Sequence, residues 1–81
     1  MDKTFIKEAI AKNLPVIRKG SKGNMIKALQ TIMKKYGWYA GDIDGSAGQL
    51  TDKGIRLLQE ALGVDVDGSF GPKSWTALLG C

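Results

Sequence analysis

Residues 42–51 read DIDGSAGQLT, and 23 positions further on residues 65–74 read DVDGSFGPKS. Seven of the ten positions agree in kind: Asp, an aliphatic residue, Asp-Gly-Ser, then Gly, and a hydroxyl residue at the close. A chain of 81 residues that writes one turn twice is using it as a metal loop, a catalytic site or a structural corner.

A calcium loop of the EF-hand kind needs oxygen ligands at positions 1, 3 and 5, Gly at 6 and a bidentate Glu at 12. With Gly45 at position 6, Ala40 stands at 1 and Thr51 at 12; with Gly68 there, Gly63 and Ser74 take those places. Both loops lack the first and last ligands, so no metal is assigned. Asp42, Asp44, Asp65 and Asp67 could supply the carboxylate pair of a glycosidase. Asp-Gly is also common turn chemistry, because Asp accepts from nearby backbone N–H groups and Gly adopts positive φ. Two equivalent turns favour scaffolding, since an active site rarely needs duplication. On that reading Ile43 and Val66 anchor the turns, and Phe70 plugs the second into the core. Ala47 leaves the first corner less filled, while Gly48 and Gly71 sit at the N-caps of the helices that follow.

Outward from the turns, apolar spacing predicts helices. Residues 3–13 place Phe5, Ile6, Ala9 and Ile10 on one face, and Pro15 disfavours helical geometry at Leu14. "LPVIRKG" is then an extended connector. A second helix opens in "GSKGNMIKALQTIMKKYG" with Ser21 as a candidate N-cap. Its stripe is Met25, Ile26, Leu29, Ile32, Met33 and Tyr36, and Gly37 stops it. "QLTDKGIRLLQEALG" gives a third, with Leu50, Ile55, Leu58 and Leu62 buried and Gly63 at its end. Gly54 within it costs about 1 kcal/mol of helix propensity against Ala, which points to a close backbone approach or to a tolerated imperfection. "PKSWTALLG" gives a short fourth helix with Pro72 at N1. The fold class is all-α: a compact three-helix bundle with two equivalent Asp-Gly turns, plus an N-terminal helix. Residues 1–17 form the N-terminal helix and connector, and 18–80 the bundle.

Composition narrows the chemistry. With 43% hydrophobic residues the chain is rich enough for a packed core. There is no His, which removes the commonest general base and the commonest zinc ligand together. The single Cys, Cys81, can form no internal bridge. No apolar run approaches a bilayer span, and the charged N-terminus lacks the apolar segment of a signal peptide. The formal charge of +4 is divided unevenly: residues 1–35 carry nine Lys/Arg against two acids, and residues 36–81 three against six. The basic part either attracts a polyanion or is a solvated helical surface. Scarce arginine and no groove-reading motif argue against nucleic acid.

Three stretches, "RKGSKGNMIKALQTIMKKYGWY", "DIDGSAGQLTDKGIRLLQEALGV" and "DVDGSFGPKSWTALLG", together resemble the small helical peptidoglycan-binding domain family. The family pattern is a Gly-Ser-x-Gly opening, a hydrophobic-Leu-Gln helix, Gly-Tyr-Tyr and two Asp-Gly-x-Phe-Gly turns. Here Leu-Gln occurs at Leu29-Gln30 and Leu58-Gln59, and the aromatic pair is Trp38-Tyr39. The departures are Ala47 in place of Phe and Gly54 in place of Ala. The resemblance implies a non-catalytic module that anchors an amidase, a peptidase or a muramidase to bacterial cell wall. It implies no cofactor and no membrane partner. Its setting would be the wall or cell exterior, or a phage lysis enzyme released through membrane holes. Anionic wall polymers would suit the basic half.

A muropeptide site needs aromatic plates beside a few polar groups. The candidates are Tyr36, Trp38, Tyr39, Asp42 and Gln49, with Trp75 as a further one. Tyr39, past the helix, is expected to be exposed, whereas Tyr36 continues a core stripe and Trp75 competes with a role as a core plug. Gln30 and Gln59 are expected to hydrogen-bond turn backbone. Shallow sugar sites bind with about −4 to −8 kcal/mol. The alternative function is a carboxylate-dependent glycosidase acting on the wall by itself.

Overall fold

The computed structural model describes residues 3–80, with side chains from residue 9 onward and at Ile6. Cys81 lies outside the described residues, and so does the side chain of Phe5. Four helices follow one another: α1 (Lys3–Asn13), α2 (Asn24–Lys35), α3 (Gln49–Leu62) and α4 (Pro72–Leu79). Among the described residues there is no strand, only two isolated antiparallel bridges, Ile17 with Phe70 and Lys22 with Ser46. The sequence-predicted all-α architecture is the one observed.

The core is built where the helical stripes meet. Ile26, Leu29 and Met33 of α2 face Ile55 and Leu58 of α3, and Phe70 and Trp75 close the end near α4. α2 packs on α3, α3 on α4, and α1 on α4. The connector between α1 and α2 holds the two turns. Ile17 exchanges both backbone hydrogen bonds with Phe70, at 3.1 and 2.7 Å. A few residues on, Gly20 N donates to Ala47 O, Ala47 N to Ser21 O and Gly23 N to Gly45 O, at 2.8–2.9 Å. One extended strip therefore braces both reversals.

Several local expectations are corrected. α2 begins two residues later than Ser21 implies: Gly23 is its N-cap, and Ser21 Oγ instead accepts from Arg18 N at 3.2 Å. Ile43 and Val66 do not anchor the turns, being 42% and 47% exposed. The extended residue between two Asp points outward because the turn's inward contacts are made by the following Ala47 and Phe70. Leu50 is exposed in the first turn of α3, where Thr51 takes the inward position. On α1, Ile6 and Ile10 are exposed, and Ala11 is the buried contact.

The glycine readings hold. Gly48 and Gly71 are the N-caps of α3 and α4, and Gly63 ends α3 in the left-handed region. At Gly54 an added Cβ would lie 3.0 Å from both Trp38 O and Met33 Sδ, so the close approach of another backbone is real.

Candidate functional site

Each turn is organised by one buried glutamine from the preceding helix. Gln30 and Gln59 are fully buried amides with two donor protons and one carbonyl each. Gln30 Nε2 lies 3.1–3.2 Å from the Asp44 carboxylate, Ser46 O, Thr51 Oγ1 and the Tyr39 hydroxyl. Its Oε1 accepts from Gly45 N at 3.0 Å. Gln59 repeats the arrangement with Asp67, Ser69 O and Ser74 Oγ, and its Oε1 accepts from Asp67 N and Gly68 N. The side-chain amide thus takes the place of a missing secondary-structure partner for a reversed backbone.

The carboxylates face their own loops. Asp44 accepts from Ser46 N and Asp67 from Ser69 N, both at 2.9 Å. Those backbone N–H groups, and then the glutamine amides, hold both carboxyls below the usual aspartate range. A general acid needs the opposite shift. Among the described residues no three His, Cys, Asp or Glu converge as a metal site.

The aromatic candidates separate into exposed and buried. Tyr36 is 62% exposed and stacks on Trp38, ring centroids 5.2 Å apart and planes 25° apart. It leaves the core stripe because α2 ends at Lys35: as the C-cap residue its backbone turns and carries the ring outward. Trp38 is half-buried and packs on the core edge. Tyr39 contradicts its expected exposure, at 7%. Its ring crosses Gly41, where a Cβ would meet the hydroxyl at 2.7 Å, and that hydroxyl donates to Asp42 O. Trp75 is a core plug, 3% exposed, set edge-on against Phe70 with centroids 4.8 Å apart. Its one donor, Nε1, is bound to Pro15 O at 2.8 Å. A ligand could reach neither ring face without opening the fold.

Asp42 and Gln49 are exposed. Together with the edge of Tyr39, and with Gly48 and Leu50, they border an open groove of about 340 Å³. Sequence reasoning missed Leu50 as a surface residue. The signal was available: Thr51 and Ser74 are the matched hydroxyls of the two turns, so the residue before each must face away. Lys34 Nζ binds Gly41 O at 3.0 Å and ties the end of α2 to the same loop.

Comparisons with known proteins agree with this geometry. A family model described as "Putative peptidoglycan binding domain" matches residues 22–78. The spore cortex-lytic enzyme of Bacillus cereus is 38% identical over 64 residues, covering 79% of this chain and 25% of the enzyme. The N-acetylmuramoyl-L-alanine amidase CwlL of Bacillus licheniformis is 34% identical over 70 residues, covering 78% of this chain and 18% of the amidase. The chain therefore spans a quarter or less of these curated relatives. Among solved structures, the SleB N-terminal domain superposes with a TM-score of 0.74 at 36% identity, covering 82% of this chain and 90% of that one. A peptidoglycan-binding protein from Clostridioides difficile, in complex with glutamine hydroxamate, gives 0.69 at 38% identity, covering 79% and 40%.

Proposed function

The chain belongs to the peptidoglycan-binding domain family, and on that premise we propose that it is a non-catalytic module anchoring a linked lytic hydrolase to bacterial cell wall. The observation that carries the reading is the pairing of engaged carboxylates with a free aromatic face. Asp44 and Asp67 are held ionised by their own loops, while Tyr36, stacked on half-buried Trp38, exposes its ring to solvent. A sugar ring offers flat CH faces that pack on such a plate, and Asp42 and Gln49 supply polar partners in the groove bordered by Tyr39. Residues 18–80 constitute the binding domain, and the helix and connector of residues 3–17 pack upon it.

Tethering gives the weak contact its use. A site of millimolar to micromolar strength is sufficient where wall polymer repeats and an attached enzyme benefits from high local concentration. The relatives' names, a cortex-lytic enzyme and an amidase, support a hydrolase as the linked partner. The place of action is the cell wall, reached by export or by release during phage lysis. The basic residues of the first half, Lys22, Lys27 and Lys35 among them, are exposed and suit anionic wall polymers. That contribution should weaken as salt rises, because exposed charges are screened.

The test is sedimentation of the chain with purified sacculi, with soluble muropeptides assayed in the supernatant. Pelleting without release supports the module. Release of reducing sugar that disappears on Asp42→Ala or Asp67→Ala, with the fold intact, supports the glycosidase instead.

A further inference from the structure

The groove beside the second turn differs from its counterpart beside the first. It encloses about 410 Å³ at the start of α4, with Val16, Val64 and Pro72 as apolar walls and with Asp65, Lys73 and Ser74 also lining it. The corresponding groove of the first turn has no lysine among its lining residues. Val16 comes from the connector, outside residues 22–78, and is 49% exposed. It is held there because its neighbours Pro15 and Ile17 are bonded to Trp75 and Phe70.

Two charged side chains of this groove, Lys73 and Asp65, have no role in the scaffold, and the scaffold hydroxyl of Ser74 keeps its donor proton unused. Asp52–Arg56 is the one ion pair among the described residues, so Lys73 stands uncompensated. Asp65 is exposed and forms no ion pair either. Ser74, only 4% exposed, accepts from Gln59 Nε2 and donates to no acceptor among the described residues. Thr51, its counterpart, does donate, to Ser46 O at 3.5 Å. Asp67 also borders the groove, but its carboxylate is already engaged by Gln59 and Ser69 N.

We propose that this second groove is a subsite for an uncrosslinked wall peptide, with Lys73 taking its carboxylate, Asp65 its free side-chain ammonium, and Val16, Val64 and Pro72 its small apolar side chains. The inference rests on the wall-binding reading and adds a peptide subsite to its aromatic face. A crosslink is one amide, made between the terminal carboxyl of one stem and the side-chain amine of another. Each joined stem therefore loses one of the two charges that the groove complements, so the module would favour uncrosslinked wall. The hydroxyl of Ser74 supplies one donor for a peptide carbonyl.

The probe is a synthetic stem tetrapeptide with a diamino acid at its third position, titrated into the full 81-residue chain and followed by amide NMR. Shifts are expected at Val16, Gly71, Lys73 and Ser74. C-terminal amidation, N-acylation of the side-chain amine, or Lys73→Gln should each weaken binding about tenfold, as removal of a charge-assisted contact does. Lys73→Arg should retain it. Absence of shifts up to about 10 mM peptide, shifts confined to residues 36–42, or equal affinity for the capped peptides would overturn the proposal. Sacculus sedimentation run in parallel separates the two readings. Pelleting without peptide binding removes the groove alone, and loss of both removes wall binding itself.

Discussion

The two corners of the molecule share a plan and differ in what they insert. In each, a glutamine follows a leucine in the preceding helix, sends its amide into an Asp-Gly-Ser turn, and meets a hydroxyl in the first turn of the next helix. Fourteen residues separate Gln30 from Asp44, but eight separate Gln59 from Asp67. The longer path contains Tyr36, Trp38 and Tyr39, two of which form the exposed stack while the third is drawn inside. The shorter path has no aromatic, and Phe70 follows it within the turn. Scaffolding is thus duplicated, and the surface beside it is not. The first corner has an aromatic surface, whereas the second has a charged groove.

The strongest way to break this comparison is through the core. Phe70→Ala removes a fully buried ring and should cost about 3–5 kcal/mol, a large part of the stability of a domain this small. Urea denaturation measures it, and a loss below about 1 kcal/mol would mean the second turn is not anchored by its aromatic. Next come the glutamines. Gln30→Ala and Gln59→Ala each leave turn N–H groups without their acceptor and should cost about 2–4 kcal/mol. If the corners are equivalent braces the two losses will be similar, and a much smaller loss at Gln30 would show that Tyr39 alone holds the first turn.

Gly54→Ala pits two effects against each other. Helix propensity improves by about 1 kcal/mol, while the new methyl presses on Trp38 O and Met33 Sδ at 3.0 Å. Backbone cannot move aside as a side chain does, so a net destabilisation of about 1 kcal/mol is expected in thermal melts. Acid acts on both corners together. Asp44 and Asp67 have folded pKa values below the ordinary aspartate value, so their stabilisation is complete above that value and is lost as pH falls through it toward the lowered one. Asp44→Asn with Asp67→Asn should flatten this acid limb of the stability curve. The smallest effect on stability is at Tyr36. Its exposed ring should contribute no more than about 0.5 kcal/mol to the fold, whereas Tyr36→Ala should reduce retention on sacculi.

Much of this was legible from residue pattern. The apolar stripes and terminal glycines located four helices, and the repeated Asp-Gly-Ser two corners, since each depends on local sequence. The glutamine-to-turn hydrogen bonds followed too, because a buried amide between two turn signals has few other uses. The aromatic cluster was legible, but the direction of each ring was not. Periodicity extends Tyr36 inward, but one residue of helix termination reverses its direction. Tyr39 looks like a loop residue, yet Gly41 and a long-range bond to Gln30 draw it in. Trp75 was undecided until Pro15, 60 residues away, supplied its acceptor. Side-chain direction at a helix end is set by tertiary partners that a sequence window does not contain.

The claim that the turns brace the fold while an aromatic face contacts the wall is tested most directly by comparing wild type and Tyr36→Ala in one sacculus sedimentation assay, with melting curves as control. The account predicts that wild type pellets, that no muropeptide is released, and that the variant pellets markedly less with its melting temperature essentially unchanged. Equal pelleting of both proteins, or release of muropeptides by either, would contradict it.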